Sequence, residues 1–253
     1  MDTLIAMLPD GVAPPVAAAL VATAWLTAAI TAAFGLGGGV VLLAVLVTVV
    51  PPAVAIPVHA VLQTGANAGR TWFLRREVLL DLLRWFVPGS VVGVALGGLV
   101  VVDLPVRWLS LALAAFILWT VWAPKPGRRA LPAPAFALVG AASSFATLFV
   151  GATGPLVAAF LPPERHGRLA TVATHGALMT VQHLLKILAF GLLGFAFADW
   201  LALMALMLPS GLVGTWSGTR VLRRLPERLF RQGFRALLTL LAAKLLLDAT
   251  GAY

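Results

Sequence analysis

Cysteine is absent from the 253 residues. Disulfide staples, thiol nucleophiles, persulfide chemistry and thiolate-ligated metals are therefore excluded. Acidic side chains are scarce: nine Asp and Glu stand against 18 Lys and Arg. Glu77, Asp81, Asp103, Glu164, Asp199 and Glu227 lie at predicted helix ends, and none falls mid-helix. A carboxylate cage for Na⁺ or a divalent cation thus has no material within the apolar runs. Neither G-x-S-x-G nor H-E-x-x-H occurs, and Ser143, Ser144 and Ser210 have no evident His partner in sequence, so an enzyme is not expected. Polar connectors are a few residues long, and no appended soluble domain is expected. A cleaved leader is not expected either, because Asp2 and Asp10 rather than a basic cluster precede the first apolar run.

What remains is apolar helix. The chain is 61% hydrophobic and 11% charged, whereas soluble domains carry roughly a quarter charged residues. Helix-length stretches are apolar on every side, and the apolar/polar alternation of a membrane barrel is missing. Lipid is the solvent this predicts. Spanning about 30 Å at about 1.5 Å per residue takes about 20 residues. Helices are predicted at 12–33, 40–50, 53–70, 78–102, 107–123, 132–148, 155–161, 169–190, 198–222 and 228–249, with 40–50 and 155–161 short. The basic residues cluster at helix ends as topology signals, so the net charge of +9 does not point to nucleic acid.

The chain also repeats itself. "AFGLGGGVV" (33–41) resembles "LFVGATGPL" (148–156), and "HAVLQTGANAGR" (59–70) resembles "HGALMTVQHLLK" (175–186). "VPGSVVGVALGG" (87–98) matches "LPSGLVGTWSGT" (208–219), and "LPVR" (104–107) matches "LPER" (225–228). The separations are 115, 116, 121 and 121 residues, nearly constant across four segments. Two halves, 1–126 and 127–253, are predicted. Each holds a long helix, a Gly-rich break, a short helix, a polar helix and two more long helices. Five elements per half reverse the second half in the membrane. That arrangement puts fifteen basic residues on one face and leaves Arg107, Lys186 and Lys244 at the other. The crowded face is cytoplasmic by the positive-inside bias, and both termini are outside. The predicted fold is an all-α integral membrane protein of eight to ten membrane helices, built as two inverted-topology repeats with broken or re-entrant short helices.

Inverted repeats with broken helices mark secondary transporters, whose sites form where the halves meet. Gly37, Gly38 and Gly39 form one break, with Gly35 before them; Gly151, Thr153 and Gly154 form the other, followed by Pro155. Glycine admits close approach of a ligand, and a helix start presents unpaired N–H groups that favour an anion. Close helix packing is the alternative use of such glycines. Next comes a polar ladder. His59, Gln63, Asn67 and Arg70 fall within about 80° of arc on one helix face. His175, Gln182, His183 and Lys186 repeat it, with Met179 in place of the glutamine. Intramembrane polar groups of this kind face a bundle interior or an aqueous path, or hydrogen-bond a neighbouring helix. Arg70 is expected to mark the cytoplasmic edge and Lys186 to snorkel outward. Donors and imidazoles without carboxylate suit an anion, and no cofactor or resident metal is called for. Proton coupling, if present, has to use histidine. A transition-metal cargo held by His59, His175 and His183 is the alternative, weakened by the lack of Cys and carboxylate.

"FGLGGGVV" after the first helix, "FVGATGPLV" at the equivalent place in the second half, and the duplicated arrangement resemble the TauE/SafE family of sulfite exporters across essentially the whole chain. The resemblance implies a multi-pass transporter of the bacterial inner membrane, with about eight helices. Its cargo would be a small sulfur-containing anion such as sulfite or an organosulfonate, and the Gly-rich segments would lie near the permeation path. Oligomeric state is left open.

Overall fold

Long apolar stretches punctuated by proline and glycine give ten helices in the computed structural model, which describes residues 8–9, 11–34, 37–101, 105–122, 131–161, 163–221, 239–240, 242–243 and 246–247. They are α1 (Pro14–Phe34), α2 (Gly38–Leu46), α3 (Pro52–Phe73), α4 (Leu80–Val101), α5 (Val106–Trp122), α6 (Phe136–Val150), α7 (Gly154–Ala158), α8 (Pro163–His166), α9 (Arg168–Leu192) and α10 (Leu201–Val221). No strand occurs among the described residues. The fold is all-α. Most of the expected helix at 228–249, the boundary between 126 and 127, and Gly35 lie outside the described residues.

Proline and glycine set the ends. α3 starts with Pro52 in its first turn, where a missing N–H is harmless. The short helices are shorter than expected because prolines follow them: α2 tightens into a turn before Pro51, and α7 ends well before Pro162 and Pro163. At both breaks the turn uses positive φ, +105° at Gly37 and +71° at Gly151, which a residue with a Cβ adopts only under strain.

Four helical stretches are long and apolar enough to cross a membrane: Pro14–Ala32, Leu80–Val101, Ala133–Val150 and Phe197–Gly218. Their outward faces carry bare apolar side chains, among them Leu99 at 76% and Leu138 at 75% exposure, which water would penalise and lipid tolerates. α3 and α9 are equally long, 22 and 25 residues, but carry the polar ladder. They pack on each other, and each is flanked by one outer helix, α10 beside α3 and α4 beside α9. The polar faces are thereby kept from lipid.

Two glycine seams join the outer helices, and they are reciprocal. On α4, Gly89, Gly93 and Gly97 lie against the α6 backbone at Ala137, Ala141 and Phe145. On α10, Gly214 and Gly218 lie against the α1 backbone at Trp25 and Ala29. Gly93 and Gly214 are 121 residues apart, and their partners Ala141 and Trp25 are 116 apart. Both separations match those between the similar sequence segments. Added β-carbons at these glycines would run into main chain, so the close approach depends on their absence. Ser210 adds a cross-link, donating its hydroxyl to the Val21 carbonyl at 2.8 Å.

Candidate functional site

Each break is tied to a histidine one helix away, and the two ties match. His59 Nε2, on α3, lies 2.9 Å from the Gly39 carbonyl; His175 Nε2, on α9, lies 3.0 Å from the Gly154 carbonyl. A carbonyl only accepts, so each Nε2 carries the hydrogen and donates it. Both rings sit at 5% exposure or less. His183 stands edge-on to His59, with ring centroids 5.7 Å apart at 78°.

These rings line a cavity of about 40 Å³ between the breaks. Gly37, Gly39, Gln63, Asn67 and Gly154 complete its predicted wall, so eight of the twelve expected site residues, the three histidines included, meet there. The remaining four stand behind it. Gly38 packs against Thr27 and Thr31 of α1, while Gly151 faces Leu43 and Ile56. Thr153 donates its hydroxyl to Gln182 Oε1 at 2.8 Å, and Gln182 Nε2 donates to Ser143 Oγ at 2.9 Å and Ser144 Oγ at 3.1 Å. Gln182 is thus a fully buried brace between the second break and α6.

Thr31, Val40, Ala152, Pro155 and Met179 also line the cavity, although sequence reasoning had not placed them there. Met179 had a signal, since it occupies the place that Gln63 holds in the first ladder. Thr31 had a weaker one, at the end of the Thr23, Thr27, Thr31 series whose hydroxyls donate to carbonyls four residues back. Among the described residues, no Asp or Glu lines the cavity. The N–H groups of Gly38 and Gly39 at the start of α2, and that of Gly154 at the start of α7, have no helical partner by position, Pro155 having no N–H. Gln63 brings its Nε2 to within 2.9 Å of where a Gly39 Cβ would be.

Arg70 and Lys186 depart from expectation. Arg70 is buried at 5% exposure and donates from Nη2 to Asn67 Oδ1 at 3.1 Å, while Asn67 Nδ2 donates to the Gln63 carbonyl at 2.8 Å. Lys186 does not snorkel: it is fully buried and donates from Nζ to the Gly151 carbonyl at 2.6 Å and to Thr147 Oγ1 at 3.4 Å. The reason is the break itself, because α6 ends there and leaves a buried carbonyl whose other donor, the Thr147 hydroxyl, stands at 3.3 Å. Sequence spacing placed Lys186 on the ladder face but did not reveal the carbonyl it serves. Among the described residues, no group of three or more His, Cys, Asp or Glu is disposed to hold a metal ion.

A family model described as sulfite exporter TauE/SafE matches residues 20–245, a span that includes both breaks, both ladders and both glycine seams. The chain belongs to the TauE/SafE family. Neither the comparison with curated proteins nor that with solved structures found a match. Membership makes the chain a multi-pass protein of a family of membrane transporters for sulfur anions.

Proposed function

We propose that this TauE/SafE protein moves a small sulfur oxyanion, sulfite or a compact sulfonate, across the bacterial inner membrane by alternating access between two inverted halves. The observation that carries the reading is the pair of matched ties, His59 to the Gly39 carbonyl and His175 to the Gly154 carbonyl, around a cavity without carboxylate. An anion there meets the amides of Gln63 and Asn67 and the two helix starts. Gly37, Gly38, Gly39, His59, Gln63, Asn67, Gly154, His175 and His183 form or shape the site, and Gly151, Thr153 and Gln182 hold its second break.

The reciprocal seams support a two-fold relation between residues 1–126 and 127–253. Seams of that kind let one half rock against the other while the midplane site stays in place. The charge bias along the sequence supports a cytoplasmic face bearing Arg75, Arg76 and Arg84, with both termini periplasmic. A cavity of about 40 Å³ has room for about three water-sized positions, which favours a compact oxyanion.

Purified protein reconstituted in liposomes should give saturable sulfite flux, competed by methanesulfonate. Combining Gly39→Leu with His175→Ala should reduce that flux to the background of empty liposomes. Undiminished flux in the double variant would remove the site assignment.

A further inference from the structure

We propose that each anion is carried together with a proton held at Nδ1 of His59 or His175. This rests on the anion reading above and adds the coupling ion to it. Both Nε2 atoms are committed as donors to the carbonyls of Gly39 and Gly154. A neutral imidazole with its hydrogen on Nε2 has a bare lone pair on Nδ1, so that atom can only accept. Both Nδ1 atoms are buried and without a hydrogen-bond partner, and so is Nδ1 of His183. Buried acceptors left unpaired are costly and rare.

A sulfite dianion offers only lone pairs. In a cavity of about 40 Å³ that both rings line, it meets imidazoles whose spare nitrogens carry bare lone pairs and have no hydrogen to offer it. One added proton changes the sign of that contact. Taken from bulk water, it forms an N–H bond at Nδ1, and the resulting imidazolium donates to the anion with charge assistance. A hydrogen carried by the anion itself, as in bisulfite, makes the same contact with the hydrogen initially on the other partner. The proton returns to water when the anion leaves, and no electron moves.

The surroundings make the two events depend on each other. The titratable and charged groups that act on His59 and His175 are His183 and Lys186 on α9 and Arg70 on α3. None is acidic, and among the described residues the cavity wall contributes no carboxylate. An imidazolium at this place has the anion as its counter-charge, and the anion has the imidazolium as its donor. Such mutual dependence is a positive coupling free energy between proton and anion, and it acts reciprocally.

Calorimetric titration of sulfite into the purified protein in lipid nanodiscs tests this. It should be run at alkaline pH, where sulfite is a dianion, in two buffers of different protonation enthalpy. Wild type should take up about one proton per anion bound. In His59→Gln/His175→Gln, the glutamine amides still donate to the break carbonyls but do not titrate. That variant should bind about tenfold more weakly and lose the uptake. In liposomes, an inwardly acidifying gradient should accelerate sulfite flux in wild type and not in the variant. Saturable binding by wild type with no proton uptake would overturn the coupling and leave the anion reading intact. Undiminished uptake in the variant would place the proton on the anion or on His183 and overturn the assignment to His59 and His175. No saturable binding or flux in wild type would overturn the anion reading, and this proposal with it.

Discussion

Neighbouring glycines at the first break should fail in opposite ways when given a methyl group. At Gly38 an added Cβ runs into the Thr27 carbonyl of α1 and the Thr31 hydroxyl, so main chain has to move. At Gly39 the nearest atoms belong to the Gln63 amide, Nε2 at 2.9 Å and Cδ at 3.2 Å, the free end of a side chain. That end swings away at little expense, since its one cross-ladder contact, Asn67 Nδ2 to Oε1, is long at 3.4 Å. Gly38→Ala should therefore destabilise by about 3 kcal/mol or more, the upper range for overpacking, and Gly39→Ala by about 1 kcal/mol or less. Function should follow volume. The cavity of about 40 Å³ holds about three water-sized positions, of which a methyl removes about one and a leucine side chain all. Gly39→Ala should raise the half-saturating sulfite concentration about tenfold, equivalent to about 1.4 kcal/mol, and Gly39→Leu should abolish flux while still folding. Gly98, with nothing within 4 Å of its added Cβ, supplies the control: Gly98→Ala should leave both quantities alone. Thermal unfolding in detergent and flux in liposomes separate the cases. A Gly38→Ala protein as stable as wild type, or a Gly39→Leu protein with normal flux, would refute the geometry used here.

The brace and the buried cation make further predictions. Gln182→Leu strands the hydroxyls of Thr153, Ser143 and Ser144, all fully buried, at about 1–3 kcal/mol for each group left unpaired. Because Ser143 retains the Gly140 carbonyl at 3.5 Å, a net loss of about 3 kcal/mol is expected, measurable as a lowered unfolding temperature. A variant as stable as wild type would show that Gln182 is no brace. Lys186→Met should behave differently. It removes the nearer donor of the Gly151 carbonyl, leaving the Thr147 hydroxyl at 3.3 Å, and relieves the burial of an ammonium; these offset, so stability should stay within about 1 kcal/mol of wild type. Sulfite flux should nevertheless fall at least tenfold, because the second break loses its tether and the site loses a nearby cation. Unchanged flux would show that the tether has no part in transport.

Helices, breaks and ladder faces were legible in the sequence because each depends on nearest neighbours along the chain. Predicted ends lie within a few residues of those observed for α1, α3, α4, α5, α9 and α10. The face shared by His59, Gln63, Asn67 and Arg70 follows from the turn angle, and all four are buried. The direction each side chain takes off that face was not legible. Gln182 and His183 are adjacent and were read as one site, yet one turns to Ser143 and Ser144 while the other lines the cavity. About 100° of rotation separates neighbours on a helix, enough to put them on different walls. Lys186 was read as a cation near a membrane face, because nothing along the chain says that its ammonium meets a carbonyl 35 residues earlier.

By itself the sequence determined the solvent and the inventory: lipid around apolar helices, two similar sets of breaks and ladders, and no carboxylate or thiol to serve them. Those are properties of composition and period, and folding cannot change them. Tertiary structure decided which members of the inventory meet. It put α3 against α9, paired each break carbonyl with a histidine, and left the second nitrogen of each of those imidazoles buried with nothing to bond. Hydrogen bonds reach about 3 Å, so residues 20 and 21 apart in sequence become partners only after the backbone has turned back at a glycine.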